Sequence, residues 1–176
     1  MSKNLLVLLL SLIILYSCTG NSDDVLKTPV YEGPVSEVYN AVNYYSDSAV
    51  VKLKIESPVR WNYEEGDIEF PKGVFIEFYD TKGDKTNTLK ANHCYYTKAD
   101  NEYKATGNVE MEGLQSNEKL VTEELFWNIK DEKIYTDKAV MIVTENQIIK
   151  GKGLEADQEF TSWTMKETTG IIDMSE

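Results

Sequence analysis

From Ala49 onward, apolar and polar residues alternate with a period of two. Val51-Lys52-Leu53-Lys54-Ile55 places three apolar side chains on one face and two lysines on the other. Val74-Phe75-Ile76-Glu77-Phe78-Tyr79 nearly repeats the pattern, and so does Val109-Glu110-Met111-Glu112. Successive side chains of a strand point to opposite sides, so this alternation predicts half-buried antiparallel strands. Turn-forming clusters punctuate the runs at Glu65-Gly66-Asp67, Lys82-Gly83-Asp84, Ala99-Asp100-Asn101 and Lys130-Asp131-Glu132. One stretch departs from the rhythm. Across residues 36–43, Val38 and Val42 are four apart, and that spacing predicts a short helix.

A longer period runs beneath the alternation. Leu89, Leu120 and Ile149 are separated by 31 and then 29 residues. Ala91, Thr122 and Gly151 follow at matching offsets, then Cys94, Leu125 and Leu154, then Tyr103, Ile134 and Trp163. Val109 and Val140 extend the first two units. Repeats of this length imply units that stack and share one continuous core. Antiparallel strands stacked in this way need two facing sheets or one sheet rolled over. The predicted fold is therefore all-β: an open, twisted antiparallel β-jelly roll or sandwich with its apolar face inward. Gly107, Gly151 and Gly153 stand inside strand-like runs. Glycine weakens a strand, so these positions mark bends or close backbone approaches.

The first residues follow another logic. Lys3 precedes an apolar run over residues 5–15, with Ser17 just before Cys18. The order of charge, apolar segment and small residue predicts a secretory signal. The run is shorter than the roughly 20 residues that a membrane-spanning helix needs. Leu15-Tyr16-Ser17-Cys18 resembles a lipobox, in which the cysteine is acylated and becomes the new N-terminus; an ordinary signal with a chance cysteine is the plainer alternative. Residues 1–17 are thus read as signal, 18–30 as an acylated polar tether, and 31–176 as one domain.

Composition narrows the function. The net charge of −12 becomes −13 without the segment that carries Lys3. Such a balance argues against nucleic acid and against an electrostatic grip on anionic lipid. With Cys18 acylated, Cys94 has no partner for an internal disulfide and reads as a small buried apolar residue. His93 is the only histidine, and in a strand-like run it reads as a satisfied strand residue. No metal-ligand spacing and no phosphate-binding loop is present, so neither a metal nor a cofactor is expected. Ser116-Asn117-Glu118-Lys119 matches a Ser-x-x-Lys pattern but lacks the companion motifs of that enzyme class. Glu64, Glu65, Asp67 and Glu69 surround Gly66 as a solvated hairpin tip would, although oxygen ligands of this kind also suit calcium. Nothing points to an enzyme.

Ordered blocks along the chain resemble the LptC family. They are Pro71-Lys72-Gly73-Val74-Phe75-Ile76-Glu77-Phe78-Tyr79-Asp80, Leu89-Lys90-Ala91-Asn92 and Ala105-Thr106-Gly107-Asn108-Val109. Leu120-Val121-Thr122-Glu123-Glu124-Leu125-Phe126-Trp127 and Ile149-Lys150-Gly151-Lys152-Gly153-Leu154-Glu155-Ala156-Asp157 complete the set. The resemblance implies a β-jelly roll that receives lipopolysaccharide from an inner-membrane ABC transporter and passes it to an LptA-like periplasmic protein. The N-terminal edge would face the LptF/LptG-type transporter, and the C-terminal edge near residues 160–172 would meet the LptA-like partner. Acyl chains of the lipid would lie against Val51, Leu53, Ile55, Val74, Ile76, Phe78, Val109, Met111, Val140 and Ile142, whose plainer role is core packing. Familiar enterobacterial members keep an N-terminal membrane helix, whereas this chain carries a lipobox in the style of the Bacteroidetes branch. The expected location is the periplasmic face of the inner membrane, held by the lipid anchor. The competing reading is a β-rich lipoprotein at the outer membrane or cell surface. It would bind glycans or another protein through exposed aromatics, with Ser22-Asp23-Asp24 in an acidic tether.

The anchor can be tested directly. Cys18→Ala should leave an unacylated precursor, and metabolic labelling with palmitate should disappear with it. Label that persists in the variant would place acylation elsewhere.

Overall fold

The structure, a computed structural model, describes residues 31–47 and 49–174. The signal segment and the whole tether, Cys18 included, lie outside the described residues. What is described is built from strands: β1 (Ser36–Asp47), β2 (Val50–Asn62), β3 (Ile68–Phe70), β4 (Val74–Tyr79), β5 (Lys85–Ala91) and β6 (His93–Thr97). They are followed by β7 (Glu102–Gly113), β8 (Glu118–Asn128), β9 (Lys133–Val143), β10 (Gln147–Asp157) and β11 (Trp163–Asp173). Turns separate them at all four clusters of glycine and acidic residues named above.

All pairings are antiparallel and form one sheet. Between β2 and β7 the sheet is split. At one end of these two strands β3 and β6 bridge them, and at the other end β4 and β5 do so. The split lets the sheet fold over its own midline. The long strands cross that line at irregularities in their pairing, between Thr106 and Val109, between Thr122 and Phe126, and between Lys152 and Leu154. An unpaired extra residue bends a strand and raises its local twist. Each long strand therefore contributes one segment to each half of a jelly roll, and the inner faces of the halves pack together.

The thirty-residue rhythm now has a geometric meaning. Leu89, Met111, Leu120, Ile142 and Ile149 are successive register partners across β5, β7, β8, β9 and β10. In the other half, Tyr96, Tyr103, Trp127, Ile134, Ala156 and Trp163 make a matching row. Each repeat is a pair of long antiparallel strands, and equivalent positions recur in the same row on every second strand.

The predicted helix at residues 36–43 is instead the start of β1, which pairs with β2 from Ser36↔Asn62 to Asp47↔Val50. Asn40 has a left-handed φ of 52° and interrupts the pairing opposite Pro58. This irregularity turns Val38 and Val42 to opposite faces, so their spacing of four only imitates a helical stripe. Strand β2 turns at the same level, where Ser57 Oγ lies 2.7 Å from the carbonyl oxygens of both Val59 and Gly73.

The outer face carries the charges as cross-strand pairs. Lys90 meets Glu110 at 3.0 Å and Lys104 meets Glu124 at 2.9 Å, while Lys119 bridges Glu110 and Glu112. Pairs this exposed contribute little individually. Glu77 differs from the simple expectation of a solvated position. It points outward but is buried beneath Lys85, Lys54 and Tyr79. The hydrogen bond from the Lys85 ammonium is the main reason its carboxyl is held below the ordinary range.

The two C-terminal glycines bend β10 for different reasons. A Cβ on Gly151 would collide with the Glu167 backbone oxygen and with Met165 Sδ. Gly153 has a φ of +70° and faces only the flexible Lys166 side chain. Gly153→Ala should therefore cost about 1 kcal/mol, the price of a left-handed alanine. Gly151→Ala must move backbone and should cost about 2 kcal/mol or more. Urea unfolding of both variants checks the order, and an unchanged midpoint for Gly151→Ala would contradict it.

Candidate functional site

The interior between the two halves is lined by buried apolar side chains. Of the ten inward residues expected from alternation, nine are buried: Leu53, Ile55, Val74, Ile76, Phe78, Val109, Met111, Val140 and Ile142. Val51 is half-buried at the start of β2. All ten belong to one half of the bent sheet, the half made by β4, β5 and the adjoining segments of the long strands.

The opposite wall was not read as part of the site. It consists of Phe70, Cys94, Ala105, Leu125, Trp127, Ile134, Leu154 and Ala156, all buried. In β8 and β10 alternation does not carry through the bend, because the irregularity changes which residues point inward. The repeat did hold the signal, since Cys94, Leu125 and Leu154 share one offset and Tyr103, Ile134 and Trp163 another.

Aromatic rings join the walls. Phe78 meets the edge of Trp127 at 5.1 Å between centroids, Trp127 stacks on Tyr103 at 5.0 Å, and Tyr103 lies 4.7 Å from Tyr96. Contacts of this kind add about 0.5–1.5 kcal/mol beyond simple burial. The hairpin loop between β10 and β11 crosses the open side opposite the fold line. Its Phe160 is fully buried at a left-handed φ of 53°. Gln158 fastens the loop to both walls: its carbonyl accepts from Asn87 Nδ2 at 2.8 Å, and its Oε1 accepts from Trp127 Nε1 at 3.0 Å. Beside this strap a groove of about 550 Å³ opens toward Tyr45, Leu53, Tyr79, Trp127 and Ile129.

The titratable residues have structural partners. Burial pushes the Cys94 thiol up to about 12, which leaves it neutral and inert at ordinary pH. His93 Nε2 lies 2.8 Å from Glu69 Oε1, in keeping with a satisfied strand histidine. Asp67 accepts from the Tyr95 hydroxyl and from Lys98 N, each at 2.9 Å. Two members of the acidic hairpin are thus engaged within the fold. Among the described residues no His, Cys, Asp and Glu side chains gather in a metal-binding group, and no helix is long and apolar enough to cross a membrane.

The sheet has two outer strands. β1 pairs only with β2, and β11 only with β10, among the described residues. Both expose apolar side chains: Val38, Tyr39, Val42, Tyr44 and Tyr45 along β1, and Ile171 and Ile172 on β11. Phe160, expected to stand with the C-terminal edge, belongs to the strap instead.

A family model described as lipopolysaccharide-assembly, LptC-related, matches residues 6–172. No curated protein matches the chain.

The strap's anchor predicts a stability cost. Phe160→Ala removes a fully buried ring and should destabilise the fold by about 3 kcal/mol. Denaturant unfolding measures it, and a change below about 0.5 kcal/mol, the range of ordinary surface substitutions, would mean that the ring does not hold the walls together.

Proposed function

The chain belongs to the LptC-related lipopolysaccharide-assembly family, and on that footing we propose that it carries lipopolysaccharide by holding the acyl chains between the two halves of its bent sheet. Membership makes it a component of lipopolysaccharide transport on the periplasmic side of the inner membrane, with lipopolysaccharide and other transport components as partners. The finer reading rests on one observation above others. An apolar lining runs from β2 to β10 and is flanked on each side by a strand with one free edge. Burying apolar surface contributes about 25 cal/mol per Å², so a few acyl chains are held without any charged contact.

The edges give the direction. LptF/LptG-type subunits of the transporter would add a strand at β1, and an LptA-like protein would add one at β11. Unpaired backbone groups flanked by apolar side chains support both contacts. Residues 1–17 act as signal and 18–30 as a tether acylated at Cys18, which keeps the β-domain near the inner membrane. The chain performs no chemistry of its own; movement of the lipid draws on the transporter's ATPase. The exposed Tyr39, Tyr44 and Tyr45 lie along both faces of one edge strand. This layout suits strand addition better than the flat platform of a glycan-binding lipoprotein.

Photocrosslinking tests the carriage. A photoreactive residue at Ile76 should capture lipopolysaccharide, and one at Phe75, its exposed outward neighbour, should capture almost none. Phe75 is a better control than Glu77, which is buried under its lysines. Equal yields at 75 and 76 would refute an interior lipid site.

Proline tests the β11 edge. Thr164 and Met165 are neighbours, so their N–H groups point to opposite sides of the strand. Proline at the residue whose N–H faces outward should weaken binding of an LptA-like partner with little loss of stability. Proline at the other breaks a bond to β10 and should lower the unfolding midpoint. Full partner binding by both variants in a pull-down would place the contact elsewhere.

A further inference from the structure

Arg60 is the only arginine in the chain, and it does not lie with the lysines on the outer face. It is two residues from Asn62, whose register partners lead through Ile68 and Tyr96 to the buried Tyr103. The side chain therefore points toward the interior, where the sheet begins. Its Nη1 donates to Asn43 Oδ1 at 2.6 Å. Asn43 is the register partner of Ile55, which pairs with Ile76 on the opposite wall. This one bond spans the two halves at the β1 end of the groove.

The pair is incompletely satisfied. Arg60 Nε and Asn43 Nδ2 are both buried without a hydrogen-bond partner. No carboxylate lies within ion-pair distance of Arg60 among the described residues. Arg60 as a whole is partly buried, and a donor withdrawn from water without a partner is costly. In a chain that supplies carboxylates so freely on its outer face, the lack of one beside this cation is informative. Two adjacent unused donors, one of them on a guanidinium fork, match the oxygens of a phosphate or carboxylate. Tyr45, 54% exposed, is on the same face of β1 as Asn43. It also lines the groove that reaches Leu53 and Trp127, and so joins that groove to the strand face that carries Asn43.

We propose that Arg60 and Asn43 form an anion subsite inside the β1 mouth, which takes a phosphate or carboxylate of the glycolipid head while the acyl chains enter the apolar interior. The subsite rests on the carriage reading and adds to it a point of head-group recognition. A single cation in an otherwise apolar lining fixes the orientation of the amphiphile, with its head at the β1 mouth and its chains directed toward β10. It also gives a protein this acidic one point of attraction for an anionic lipid: Asp80, Glu132, Asp157 and Glu159 border the groove beside the strap, and Arg60 is paired with none of them.

The experiment compares the native protein with Arg60→Met and Arg60→Lys in binding three probes. These are intact lipopolysaccharide, the same glycolipid with its phosphates removed, and a soluble phosphorylated glucosamine disaccharide that has no acyl chains. Arg60→Met should bind intact lipopolysaccharide at least about tenfold more weakly than the native protein and should lose the disaccharide. Its melting temperature should not fall, because a methionine of similar volume removes an unpaired charge. Arg60→Lys keeps the charge without the fork and should bind with intermediate strength; it carries the test if the methionine variant does not fold. If phosphate is the group recognised, dephosphorylation should weaken the native protein and leave Arg60→Met unaffected. If a carboxylate is recognised, Arg60→Met should still lose affinity for the dephosphorylated glycolipid. Native affinity for every probe in both variants would overturn the subsite and leave carriage intact. A native protein that binds the disaccharide through Arg60 but not the intact glycolipid would overturn carriage and keep the subsite.

Discussion

The architecture depends on bending long strands in the middle without breaking the sheet. A flat sheet with one apolar face leaves that face in water. Here each long strand passes through an irregularity near its centre, and the apolar face closes on itself. Several local devices produce the bend. Gly107 and Asn108 take left-handed conformations in β7, Gly153 does so in β10, and Asn40 does so in β1. Gly151 gives up its side chain so that β11 can approach closely. The interior, and with it any site for lipid, exists because these positions lie at the same level on neighbouring strands.

The bend also sorts the charges. Inward positions are almost wholly apolar, and the lysines and acids of the outer face pair across strands. The charges of the outer face are thereby kept out of the interior, and Asp80, Glu132, Asp157 and Glu159 border the groove beside the strap. Arg60 is the exception, and its position at the first mouth of the groove gives the lining a polarity from one end to the other. Free edges at β1 and β11 allow a similar bent sheet to continue the groove on either side.

Much of this was legible in the sequence. Alternation located the inward residues of β2, β4, β7 and β9, and the thirty-residue period marked equivalent rows on alternate strands. The helix expected at residues 36–43 was misread because the left-handed Asn40 interrupts the strand pairing between two valines that are spaced as in a helix. The inward residues Leu125, Trp127 and Leu154 were missed because alternation restarts with altered parity after the bends of β8 and β10. Neither the Phe160 strap nor the Arg60–Asn43 contact has a local signature. Each depends on residues brought together by the closure, and Asn87 meets Gln158 across 71 positions of sequence.

The central claim is that lipid lies between the halves, yet in this structure their side chains fill that space. Acyl chains can enter only if the walls separate. The most direct measurement is the distance between two spin labels on outward residues of opposite halves, Lys90 on β5 and Lys104 on β7, by pulsed electron resonance. Carriage in the interior predicts a longer or broader distance distribution when lipopolysaccharide is added, and no change with a soluble head-group sugar. An unchanged distribution at saturating lipopolysaccharide would show that the lipid binds outside the groove.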